Sequence, residues 1–235
     1  MDRPTTWERL SSVSGALFAA VQIAATAYFL IVLAPHLPPL DAPLEQQGQF
    51  YSQYTFENAL VAYLSVLPMP FFLVFLGGVF ALLRRIEGGV GALTATALAA
   101  GVSVAIIWPI GIVVADSGQG LSHQGLAPLA VMAFDGVAQL SLALSALAGA
   151  VLLVTIAAGV LSADGLPRWL AYSAVVLAVV NLIGSVTLLN ASLYPILAIG
   201  TLLFDIWVAA LSGMLLRRVT ASRPGRLAER ASLAA

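Results

Sequence analysis

Six long apolar runs dictate what this chain can fold into. A helix needs about 20 consecutive apolar residues to cross the roughly 30 Å hydrocarbon core of a bilayer. The runs cover 13–33, 59–83, 92–115, 137–161, 169–189 and 193–216. They read as helices, because membrane-barrel strands are about ten residues long and alternate apolar with polar. Of 235 residues, 60% are hydrophobic and 9% are charged, whereas a soluble domain carries about 25% charged residues. So few charges could not cover a water-facing surface. The expected fold class is all-α: a polytopic membrane protein, one domain over 1–235. It is a bundle of six transmembrane helices with a short interfacial helix in an outer loop.

The cations orient that bundle. The chain has ten arginines and no lysine. Arg3 and Arg9 precede the first run, Arg84 and Arg85 follow the second, and Arg168 precedes the fifth. Arg217, Arg218, Arg223, Arg226 and Arg230 follow the sixth. A six-span path puts all of them on one side, which the positive-inside rule makes the cytoplasm. The expected location is a bacterial inner membrane with both termini cytoplasmic. The first run exceeds the 7–15 apolar residues of a signal peptide, so it is expected to remain as a span. The basic segment 219–235 is expected to be a flexible cytoplasmic tail attracted to anionic lipid.

The outer loops carry five of the eleven acidic residues and a cluster of aromatics. Loop 34–58 opens with "PHLPPLDAP", where proline disfavours helix. It continues with Phe50, Tyr51, Tyr54 and Phe56, aromatics suited to headgroup depth in an interfacial lid. The segment "DSGQGLSHQGLAP" has three glycines and is expected to be a mobile loop. "LAVMAFDG" is then expected to form a short interfacial helix, broken from the fourth span at Asp135–Gly136. Pro68 and Pro70 are expected to kink the second span, and Pro109 to bend the third.

Inside the spans, polar groups are few. Asp205 sits within "TLLFDIWVAAL", and the nearest charged residues are Arg168 and Arg217. At 100° per residue its helical face also displays Ala198, Thr201, Ala209 and Ser212, with Trp207, Leu203 and Met214 opposite. Small residues let helix backbones approach, so this face is expected to point into the bundle and the bulky face to lipid. Similar stripes hold Ser11, Gly15, Ala19, Gln22 and Thr26 in the first span, and Ala174, Ala178, Asn181 and Ser185 in the fifth. Asp205, Gln22, Asn181 and Thr201 form the candidate intramembrane polar site. A carboxylate in hydrocarbon must be paired or protonated, and no arginine lies at that depth. The expectation is therefore a neutral acid that donates a hydrogen bond. Asp135 and Gln139 are a second candidate site on the outer side. No catalytic residue, cofactor or metal site is expected. His36 and His123 lack zinc-ligand spacing, and no nucleotide-binding loop, nucleophile elbow or zinc-protease motif occurs.

The stretch "LPRWLAYSAVVLAVVNLIG" (Leu166–Gly184) and the closing "AIGTLLFDIWVAALSGMLLRR" carry a family likeness. They resemble bacterial multi-pass membrane proteins of unknown function that have an LPRWL-type turn before the fifth of six helices. Ala171 stands where that pattern has glycine, and Asn181 where it is usually apolar. The resemblance implies six spans with a long first outer loop, and no established activity. The turn has a local reason as well. Pro167 starts a helix, Arg168 marks the cytoplasmic edge, and Trp169 anchors the interface.

Three functional readings follow. The leading expectation is a non-enzymatic membrane protein acting through membrane lipids or a membrane-protein partner, with no nucleic-acid partner. The alternative is a carrier or channel for a small solute or ion, with Asp205 as its proton or cation site. An intramembrane enzyme comes last, because it needs converging acid, base and nucleophile groups that one aspartate does not supply. A wet cavity reaching Asp205 favours transport, and a dry core favours the first reading.

Overall fold

A computed structural model describes residues 6–38, 42–122, 128–162, 166–190 and 193–221. Among these the structure is helical throughout, with no strand. Helix α1 (Thr6–Tyr28) continues through a π-helical turn, Phe29–Leu33, and a 3-10 turn, Ala34–His36. Then come α2 (Leu44–Gln53), α3 (Thr55–Val66), α4 (Met69–Glu87), α5 (Ala92–Ser122) and α6 (Pro128–Ser162). Helix α7 (Arg168–Ser185) ends in a 3-10 turn, Val186–Leu188, and α8 (Tyr194–Ala221) closes the chain. Six segments are long and apolar enough to cross a membrane: Thr6–His36, Thr55–Glu87, Ala92–Gly118, Gly136–Ser162, Arg168–Leu188 and Tyr194–Arg218. The chain is a multi-pass membrane protein built as a helix bundle.

The segment expected as one kinked span is two helices, α3 and α4. Pro68 and Pro70 explain the break, since each removes an N–H that a carbonyl one turn earlier would have received. Helix α4 ends at Gly88, whose left-handed φ of 72° suits a residue without a side chain. The carboxylate of Glu87, the last residue of α4, accepts hydrogen bonds from the N–H groups of Leu93 (3.0 Å) and Thr94 (2.8 Å). One side chain thus ends α4 and caps the start of α5.

Two loop expectations are corrected. Helix α5 continues through 116–122, the first half of the segment expected to be a mobile loop. Helix α6 runs without a break through Asp135–Gly136, so there is no separate interfacial helix before the fourth span. A mid-helix glycine costs about 1 kcal/mol, less than breaking backbone hydrogen bonds beside a membrane. Phe134 packs on Gly118, so the two helices stay in contact at this end. His123, within 123–127, lies outside the described residues. The tail expected at 219–235 begins later, since α8 extends to Ala221, and the remainder lies outside the described residues.

The outer-loop helix is α2. Phe50 on it is buried, and its ring packs against Tyr54 (5.1 Å between centroids) and Tyr51 (5.3 Å). His36 stacks on Tyr54 from the end of the first span (5.1 Å). These aromatics tie the loop to the bundle, while Phe56 projects outward.

The spanning helices form a closed ring. Each packs on its neighbour in the order α4, α5, α6, α7, α8, α1, and α1 returns to α4. At the arginine-bearing end Glu8 on α1 pairs with Arg85 on α4. Small residues set the helix spacing. A side chain at Gly184 would begin 2.9 Å from the Leu197 backbone, so α7 and α8 approach to a distance only glycine permits. Phe18, Phe72, Phe75 and Phe204 fill the ring's centre, with Phe18 and Phe72 rings 4.8 Å apart. Leu83, Val208 and Leu211 continue the core toward the arginine-bearing end.

Candidate functional site

All six spanning segments reach one cavity on the axis of the ring. Its polar lining is Gln22 from α1, Trp108 from α5, Ser145 from α6, Asn181 from α7, and Thr201 and Asp205 from α8. Phe18, Phe204 and Met69 bound it from the aromatic core. The cavity volume is about 40 Å3. One water occupies roughly 10–15 Å3 on that measure, so there is room for about three. A drug-sized ligand needs several hundred Å3. No other titratable side chain lines the cavity.

Each polar side chain has a traceable local cause. The break after Val66 frees carbonyls at the end of α3, and the Gln22 amide nitrogen donates to the Ser65 carbonyl at 3.2 Å. The Asn181 amide nitrogen donates to the Leu177 carbonyl at 2.9 Å within its own helix. The Thr201 hydroxyl donates to the Leu197 carbonyl at 3.1 Å. Because each partner is a carbonyl, the amide nitrogens must face the backbone. Gln22 Oε1 and Asn181 Oδ1 are then the ends left over. Trp108 Nε1 is buried with no hydrogen-bond partner among the described residues. Asp205 is 2% exposed, and it makes no hydrogen bond or ion pair among the described residues. The expected direct hydrogen bond from Asp205 to Gln22 or Asn181 is therefore not made. The groups share a cavity instead, since both amides are already engaged by backbone.

The face assignments from helical spacing hold for two helices and shift on a third. Ser11, Gly15, Ala19 and Gln22 are buried, as are Ala174, Ala178, Asn181 and Ser185. On α8, Trp207 is buried rather than lipid-facing, and its indole N–H donates to the Leu170 carbonyl at 3.1 Å. Ala198 is exposed. A ring helix has neighbours on two sides, here α1 and α7, so its buried arc is wider than one face. Trp108 and Ser145 are the polar lining residues that helix stripes missed. Ser145 directly precedes Ala146, which also lines the cavity.

Toward the end of the bundle away from the arginines, Gln139 is half-buried and is not part of the cavity. Asp135 lies outside the described side chains. His36 Nδ1 lies 3.0 Å from the Val32 carbonyl, and no group of three metal-ligating side chains occurs among the described residues. No family model, curated protein or solved structure matches the chain.

Proposed function

We propose that this protein is a carrier whose transported or coupling species is handled at Asp205. The single observation behind this reading is the polar cavity at the ring axis, with a buried carboxyl that no group among the described residues partners. A purely structural aspartate would be expected to engage a neighbouring helix, where such a bond contributes about 0.6 kcal/mol on average. Buried ionisable groups facing a cavity are instead the usual marks of ion and proton routes in membranes. Phe18 and Phe204, two members of the buried core, also line the cavity. Action through lipids or a partner protein has no comparable feature in its favour. The arginine asymmetry supports an orientation with both termini cytoplasmic in a bacterial inner membrane.

The test is flux in proteoliposomes. With an imposed pH gradient, the wild-type chain should dissipate the gradient faster than empty vesicles. Asp205→Asn should fold and reconstitute normally, because the amide has the same shape, yet lose that flux. Equal flux in the variant and wild type would sink the reading.

A further inference from the structure

We infer that the axial cavity is a binding site for a monovalent alkali cation, held by oxygen atoms of Asp205, Gln22, Asn181 and Thr201. This rests on the reading of the cavity as a transport site, and it names the chemistry of the occupant. The argument begins with the two amides. Each spends one N–H on a backbone carbonyl, Gln22 on Ser65 and Asn181 on Leu177. The Thr201 hydroxyl proton is spent on the Leu197 carbonyl. The acceptors these residues bring to the cavity are two amide oxygens and a hydroxyl oxygen. The Asp205 carboxylate adds two more oxygens and the only negative charge in the lining.

A lining rich in acceptors selects against anions and for hard cations, which take oxygen ligands. The charge of the occupant follows from the count of carboxylates. One carboxylate neutralises one positive charge, and a second uncompensated charge in so apolar a setting would be costly. Calcium sites recruit several carboxylates, and this cavity has one. Size agrees, since about 40 Å3 admits an ion with a water or two but not an organic cation of any bulk. The Ser145 hydroxyl can act as either donor or acceptor, and Trp108 Nε1 is a donor rather than an acceptor. Buried and unpartnered, it can hold a cavity water or the carboxylate, but it cannot ligate the ion. A proton on Asp205 removes the charge that holds the cation, so the proton and the metal ion compete for one carboxylate. With no other titratable group facing the cavity, that competition has a single site.

The test is equilibrium binding of radioactive 22Na+ to the purified full chain by scintillation proximity, with unlabelled Na+, K+ and choline as competitors. One Na+ per chain should bind at pH 8. Binding should fall as pH is lowered, be displaced by alkali ions, and ignore choline. Asp205→Asn should abolish it. Thr201→Val, which keeps the side-chain shape, should weaken it about tenfold, as for a lost bond to a charged group. Ser212→Ala, outside the cavity, should leave it unchanged. Asp205-dependent proton flux without any 22Na+ binding would overturn the cation site and leave the carrier standing. Binding lost in Asp205→Asn, but with no flux in vesicles, would overturn the carrier and leave the site. Binding indifferent to Asp205→Asn would overturn the site.

Discussion

Gln22 illustrates what a single residue does here that its position in the sequence does not disclose. Helical spacing and depth suffice to turn it inward near the midplane. Its partner, the Ser65 carbonyl, is free only because two prolines interrupt a helix more than forty residues away. That pairing is a tertiary fact, and a stripe of small and polar residues cannot announce it. Removing it strands a backbone carbonyl where no water replaces the lost donor. Gln22→Leu should therefore lower stability by about 1–3 kcal/mol, read as a fall in thermal midpoint in detergent. An unchanged midpoint would show that the Ser65 carbonyl finds another donor. Asp205 was legible for a simpler reason: a charge inside an apolar run is visible without any structure. That it has no partner among the described residues was not legible, because the amides expected beside it each bond a backbone carbonyl instead.

At the scale of elements, the apolar runs located the helices well and their ends poorly. Glycine-rich segments read as breaks at 116–122 and at Gly136, yet α5 and α6 pass through both. Local propensity is worth about 1 kcal/mol per glycine, and helix propagation outweighs it. Proline was the better guide, since it removes a donor outright and did divide α3 from α4. Glycine mattered instead in the contacts between helices. At Gly184 a methyl group would start 2.9 Å from the Leu197 backbone, and backbone cannot swing aside as a side chain can. Gly184→Ala should push α7 from α8 and cost about 1–3 kcal/mol. Gly136→Ala, with nothing within 4 Å, should be neutral or slightly stabilising. Thermal midpoints of the two variants, measured side by side, decide the point; equal losses would refute the close approach.

For the whole molecule, the distribution of arginines makes the sharpest statement. Single cysteines placed by Glu45→Cys and Gly120→Cys should react with a membrane-impermeant thiol reagent from outside. Gly88→Cys and Gly225→Cys should react only after the membrane is opened. The native chain has no cysteine, so the background is clean. Reaction of position 88 from outside would invalidate the topology. The sequence could place helices across the membrane but not around the ring, because every apolar face suits every other. The contact of α1 with α8 is what closes the circle. A circle has no privileged first member. The order of synthesis should therefore be negotiable: a circular permutant that begins at α7, runs through α8 into α1 by way of the tail, and finishes at α6 keeps every helix neighbour. Its new ends follow α6 and precede α7. Such a permutant should insert, elute as a single species and bind or transport as the parent does. Failure to assemble would mean that the order in which helices enter the membrane, and not only the contacts they finally make, is part of what this sequence encodes.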